Sequence, residues 1–247
     1  MVSPFMPGIW FFDLDNTLHN ASHAIFGGMD ERINQWIIQH LQVDAAEADR
    51  IRREHWKRYG ATLIGLVRHH GVDGLQYLED THRFDPRPLM RFERGLVRKL
   101  APLPGRKMLL TNAPSIYSRR VMAELDLDRR FHGHIAIDHM RVFGQFAPKP
   151  SKRMLRQLLA RHRIQPHQAV LVEDSVANLK AARAIGMRTV LVRGYTRGAV
   201  RSSGYVPAHS AHQSGRASCV DCCVHSVAHL RRKAWLISSL DRTLADV

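Results

Sequence analysis

The stretch that most constrains this chain is Trp10-Phe11-Phe12-Asp13-Leu14-Asp15-Asn16-Thr17-Leu18, close to the N-terminus. An apolar run that breaks into carboxylates reads as a buried strand whose C-terminal end carries chemistry. Side chains two apart on a strand share a face, so Asp13 and Asp15 converge on one site. Two carboxylates held together repel, and such pairs persist mostly where a cation or a proton transfer needs them. A plain strand followed by an Asp/Asn-rich turn has the same local sequence, so the rest of the chain must decide between the two.

From residue 20 to about 91 the pattern is helical, without a convincing strand. Ile33, Trp36, Ile37, Ile38 and Leu41 recur at helical spacing, as do Ile51, His55, Trp56 and Tyr59, which predicts the core of a small bundle. Asp44 and Asp73 suit helix starts; Gly60 and Gly71 suit breaks. Strands and helices then alternate. Strands are expected at 106–111, 134–137, 168–172 and 188–192, with helices at 114–125, 151–162 and 176–185. Apolar strands alternating with helices predict an α/β fold, a parallel sheet covered on both faces. From about Arg197 the composition turns to Ser, Gly, Ala and His, which predicts loop or disorder to residue 217, with a further helix near Ala234–Leu240.

At 247 residues the chain is long enough for one large core with a smaller insert. No apolar run approaches the ~20 residues of a membrane span. The first residues lack the basic and apolar regions of a signal peptide, so a cytoplasmic protein without a membrane partner is expected. The formal net charge of +15 suits anionic partners. Its Lys and Arg are mixed with acids along helices, as in Asp49-Arg50-Ile51-Arg52-Arg53-Glu54, and no nucleic-acid motif accompanies them. Solvated helix faces explain that charge better than a nucleic-acid partner. Oligomeric state is not legible. Cys219, Cys222 and Cys223 with His225 and His229 make C-x2-C-x2-H-x3-H, which lacks the dozen or so residues a zinc finger needs between its ligand pairs. His209 and His212 are further donors, so a metal site in this segment stays open.

Each expected strand ends in polar residues, where open parallel sheets place their ligands. Asp13 and Asp15 come first, then Thr111 and Asn112 ahead of a helix N-terminus, which suits a phosphate. Lys149-Pro150 follows as a positive charge on a stiffened loop, and Glu173-Asp174 as a second acid pair. Taken singly, these are helix caps, a surface lysine and a helix-start pair. Their order along one sheet edge is harder to dismiss.

That order resembles the haloacid dehalogenase-like (HAD) phosphohydrolase superfamily, in Asp13-Leu14-Asp15-Asn16-Thr17, Thr111-Asn112, Lys149-Pro150 and Glu173-Asp174, over residues 8–196. The resemblance implies a Rossmann-like core from 1–19 and 92–196, a helical cap from 20–91, and a C-terminal tail from 197–247. It implies Asp13 as nucleophile, Asp15 as acid and base, and Thr111, Asn112 and Lys149 on the phosphoryl group. It also implies Mg²⁺ on Asp13, the Asp15 carbonyl and Asp174, with Glu173 in reserve or bound through water. A dehalogenase has no leaving alcohol to protonate, so Asp15 speaks for a phosphatase.

A narrower stretch, Tyr59-Gly60-Ala61-Thr62-Leu63-Ile64-Gly65-Leu66, with His82 and Thr111-Asn112-Ala113, looks like the pyrimidine 5′-nucleotidase branch. It implies a nucleoside monophosphate such as UMP or CMP as substrate, with Tyr59, Thr62 and His82 as candidate cap residues. Ser151-Lys152 after the lysine, and Leu155 where many relatives carry an aromatic, depart from that pattern. A phosphatase or mutase for sugar phosphates or phosphoglycolate shares the same machinery. The reading from another class, a basic nucleic-acid binder on an unused fold, meets the objection that Asp13, Asp15, Lys149 and Asp174 are all present.

Overall fold

The computed structural model describes residues 8–195 and 218–232. In chain order the elements are β1 (Ile9–Phe12), α1 (Ile25–Leu41), α2 (Ala45–Tyr59), α3 (Thr62–His70), α4 (Gly74–His82) and α5 (Leu96–Leu100). They continue with β2 (Arg106–Leu110), α6 (Ser115–Glu124), β3 (Gly133–Ile135), a small hairpin of β4 (Arg141–Val142) and β5 (Gln145–Phe146), and α7 (Lys152–Arg161). The last are β6 (Ala169–Glu173), α8 (Val176–Arg183), β7 (Arg188–Val192) and β8 (Cys222–Val224).

Six strands form one parallel sheet in the order β3-β2-β1-β6-β7-β8. The opening apolar run is continuous because β1 is central: Trp10 and Phe12 pack into one layer, Ile9 and Phe11 into the other, and all four are fully buried. Each such side chain contributes about 1.5–3 kcal/mol by leaving water, so the strand is a rigid platform for the residue that follows it. From β1 the chain builds outward through β2 and β3 on one side, then returns to add β6, β7 and β8 on the other. The crevice for ligands lies at the C-terminal ends of β1 and β6, where the order reverses.

Between β1 and β2 the chain builds the inserted helical cap. Helix α2 starts because the Asp44 carboxylate accepts from the Glu47 N–H at 2.8 Å, and Asp73 does the same for α4 through Leu75 and Gln76. Gly60 and Gly71 end α2 and α3 in the left-handed conformation, φ 76° and 63°. Trp36, Ile37, Ile51, Leu63, Leu66, Tyr77 and Leu78 form the cap's own core, joined by Ile137 and Phe146 from the α/β part. Trp56 and Tyr59 lie at its margin rather than inside it. No helix among the described residues is long and apolar enough to cross a membrane.

Two features differ from the sequence expectation. The loop before Lys149 contains the β4–β5 hairpin, only two residues per strand and too short for a periodic signal. The core also does not stop at residue 196. Cys222–Val224 pairs in parallel with Val190–Val192 as the sixth strand, and Cys222, Val224, Val227 and Leu230 are buried against the sheet. Asp221 anchors this return, accepting from the Thr189 N–H at 2.9 Å and from Arg183. The cysteine run is therefore sheet edge. Among the described residues it takes no part in any group of three or more potential metal ligands. His209, His212 and the helix expected near 234–240 lie outside the described residues.

Candidate active site

The register sets Phe12 opposite both Leu109 and Val172, so Asp13, Leu110 and Glu173 stand level at the C-terminal edge of the sheet. Asp13 is buried, and both of its oxygens are held. Lys149 Nζ donates to Oδ1 at 2.7 Å, and Thr17 Oγ1 donates to Oδ2 at 3.2 Å. The same Lys149 ammonium reaches Glu173 Oε2 at 2.6 Å, and Lys149 is only 1% exposed. Glu173 Oε1 in turn accepts from the Ser175 N–H.

Asp13, Glu173 and Asp174 each place a carboxylate oxygen within 4.8 Å of the others. Three carboxylates around one ammonium leave uncompensated negative charge in a buried place. Burial and the charge of Glu173 push the Asp13 carboxyl up to about 7, against the pull of Lys149. Burial, Glu173 and Asp13 likewise hold Asp174 well above the ordinary carboxylate range. Burial pulls Lys149 down, but Asp13 and Glu173 more than reverse it, so the ammonium stays charged. A compact set of hard oxygen donors with excess negative charge fits a divalent cation such as Mg²⁺.

The Asn112 side chain grips Lys149. Its Nδ2 donates to the Lys149 carbonyl and its Oδ1 accepts from the Lys149 N–H, both at 2.9 Å. That amide, expected on the phosphoryl group, is spent on fixing the lysine. Thr111 is buried, with its hydroxyl accepting from the Ala113 N–H at 3.0 Å. Asp15 stands apart from the carboxylate cluster. Its Oδ1 meets Tyr117 Oη at 2.8 Å and His19 Nε2 at 2.9 Å. Burial and the Asp15 charge keep the Tyr117 phenol protonated, so it donates.

The family described as haloacid dehalogenase-like hydrolase matches residues 9–186, which span every group just placed. The chain belongs to that family. "Phosphate metabolism protein 8" of Saccharomyces cerevisiae is 24% identical over 196 residues, 74% of this chain and 60% of that protein, so the chain spans less than two thirds of that relative. The fold is shared with a HAD phosphatase from Thermococcus onnurineus, at TM-score 0.60, 18% identity, and 92% and 97% coverage of the two chains. It is shared also with CbbY from Rhodobacter sphaeroides, solved with phosphate, at TM-score 0.58, 18% identity, and 91% and 96% coverage. None of these relatives points to pyrimidine nucleotides in particular.

In this HAD hydrolase the cap candidates are scattered. Gly60 brings the α2–α3 corner down on the lysine loop: a Cβ there would lie 3.4 Å from Pro150 Cδ and 3.6 Å from the Lys149 carbonyl oxygen. Tyr59 and Thr62 flank that corner, yet the Tyr59 hydroxyl pairs with His69 Nε2 at 2.5 Å and the buried Thr62 hydroxyl donates to the Arg52 carbonyl. His82 reaches the site from the end of α4. Its ring meets Tyr117 edge-on at 6.2 Å, and burial pushes it down to about 4, so it is neutral. Tyr117 and His19 were not among the sequence candidates. Tyr117 meets Asp15 across 102 positions, a separation that leaves no local pattern to read.

Proposed function

We propose that the protein is a Mg²⁺-dependent phosphomonoester hydrolase working through an aspartyl-phosphate at Asp13. The observation that supports it most is the buried Asp13–Lys149–Glu173–Asp174 cluster at the end of β1 and β6. Asp13, Glu173 and Asp174 would hold the ion, with the Asp15 carbonyl as a further donor; when bound, Mg²⁺ offsets the charge of the carboxylates and the phosphoryl group.

The rest is the work of the chain. Thr17 and Lys149 fix the Asp13 carboxylate, one of whose oxygens attacks phosphorus. The bond from phosphorus to the ester oxygen breaks, and that oxygen leaves with a proton from Asp15. Asp15, now ionised, takes a proton from water; the water oxygen attacks phosphorus and expels the Asp13 carboxylate, so one water is consumed per phosphate released. Lys149 and the Thr111 hydroxyl, with the Asn112 N–H, would bind the transferred group and offset its charge. Asn112 serves by keeping Lys149 in place.

The proposed substrates are small sugar phosphates or phosphoglycolate-like esters. The pyrimidine reading rests on residues 59–66 and His82, and the polar groups of Tyr59 and Thr62 are already spent inside the cap. Residues 20–91 are proposed as a mobile cap that selects the substrate. A hydrolysis panel of glucose 1-phosphate, phosphoglycolate, AMP, UMP and CMP in Mg²⁺ tests the assignment. Turnover of the small esters above the nucleotides is expected. A clear preference for UMP or CMP restores the nucleotidase reading, and no hydrolysis of any of them, with or without Mg²⁺, overturns the phosphatase.

A further inference from the structure

Asp15 is surrounded in a way the basic mechanism does not require. His19 is fully buried, and its hydrogen-bonding contact with a carboxylate is Nε2 to Asp15 Oδ1 at 2.9 Å. Its other nitrogen, Nδ1, is buried without a hydrogen-bond partner. A histidine buried merely to complete the core would be expected to have both nitrogens satisfied. Here one nitrogen is left unpaired while the other is aimed at the acid/base carboxyl. Since a carboxylate only accepts, Nε2 carries the proton.

Tyr117 converges on the same oxygen from α6, at 2.8 Å, and its hydroxyl lies 3.4 Å from His19 Nε2. Its ring is buried and wedged between His82 and Phe84, which leave the cap. Both donors thus meet Oδ1 from fixed positions, which leaves Oδ2 to exchange the proton. Oδ1 can keep both hydrogen bonds in the ionised carboxylate, which they favour, and in the acid protonated at Oδ2. The arrangement holds one geometry through both half-reactions.

We infer that His19 and Tyr117 are positioning residues that lock Asp15 Oδ1 and thereby present Oδ2 for proton transfer to the leaving group and from water. This rests on the reading of Asp15 as acid and base. The test compares substrates by leaving group. A nitrophenolate departs without a proton, whereas a simple alkoxide does not, so a misplaced acid harms the second far more than the first.

Asp15→Asn, Tyr117→Phe, His19→Leu and His19→Gln would be assayed with Mg²⁺ on p-nitrophenyl phosphate, by the rapid release of nitrophenolate, and on an alkyl phosphate, by kcat and KM. Tyr117→Phe removes only a hydroxyl, so it remains informative should His19→Leu fold poorly. Glutamine can place an N–H near the position of Nε2. Tyr117→Phe and His19→Leu are expected to lower kcat on the alkyl ester about tenfold or more, with KM and the nitrophenolate burst nearly unchanged, and His19→Gln to recover much of the loss. Equal losses on both esters, or none, while Asp15→Asn keeps a steep leaving-group dependence, overturn the positioning role and leave the acid/base assignment standing. No leaving-group dependence in Asp15→Asn itself overturns both.

Discussion

Lys149 is the residue on which the site's electrostatics turn. It is the cation bonded to both Asp13 and Glu173, and it is fully buried between them. Removing one partner of a buried ion pair leaves charge uncompensated, at a cost of about 3–5 kcal/mol. Lys149→Met should therefore lose about that much in urea unfolding at pH 8, together with all turnover; a loss below about 1 kcal/mol would show that water relieves the carboxylates. Asp13 gives a second test. Its folded value near 7 lies above the ordinary carboxylate value of 3.8, so the folded state binds the proton more tightly. Its contribution to stability in metal-free buffer is then present at low pH and lost as pH rises through about 7. Asp13→Asn should remove that part of the pH slope between about pH 4 and 7, and an unchanged slope would contradict the placement. The carboxylates and the lysine were legible in the sequence because each ends a strand or starts a loop at the sheet edge. The Asn112 grip on Lys149 was not, since an amide meeting a backbone 37 residues away has no sequence signature.

The helices were legible because their ends are chemical. Asp44, Asp73 and Ser151 each accept a backbone N–H at the start of a helix, and Gly60 and Gly71 take the left-handed conformation at the end of one. What spacing does not show is how closely the elements cross. At Gly65, α3 passes α2 so tightly that a Cβ would fall 2.0 Å from His55 Cγ. A glycine at this position is required by that crossing. Gly65→Ala should force the helices apart and cost about 1–3 kcal/mol, read as a lower Tm. A neutral result would mean that the His55 ring can swing aside. Gly60 works differently: it places the cap corner on Pro150, and so sets what stands over the lysine.

Across the whole molecule, the parallel sheet followed from the alternation of apolar runs with helices, and the site followed from where those runs end. The sixth strand did not. Three residues, Cys222–Val224, follow a polar stretch and carry no periodicity, so only pairing with β7 defines them. The segment nonetheless contributes to the core, because Val227 and Leu230 cover the face beside the strand. Leu230→Ala should cost about 2–5 kcal/mol, and ending the chain near Gly198 should give a protein that aggregates or melts early. Wild-type stability in that shortened chain would make the sixth strand dispensable. The central claim, that Asp13 becomes phosphorylated, is tested most directly by acid-quenching the enzyme during turnover, reducing acyl phosphate with borohydride and sequencing peptides by mass spectrometry. Conversion of Asp13 alone to homoserine, dependent on substrate, is expected; ongoing turnover with Asp13 unmodified, or with the modification on another residue, would contradict the mechanism.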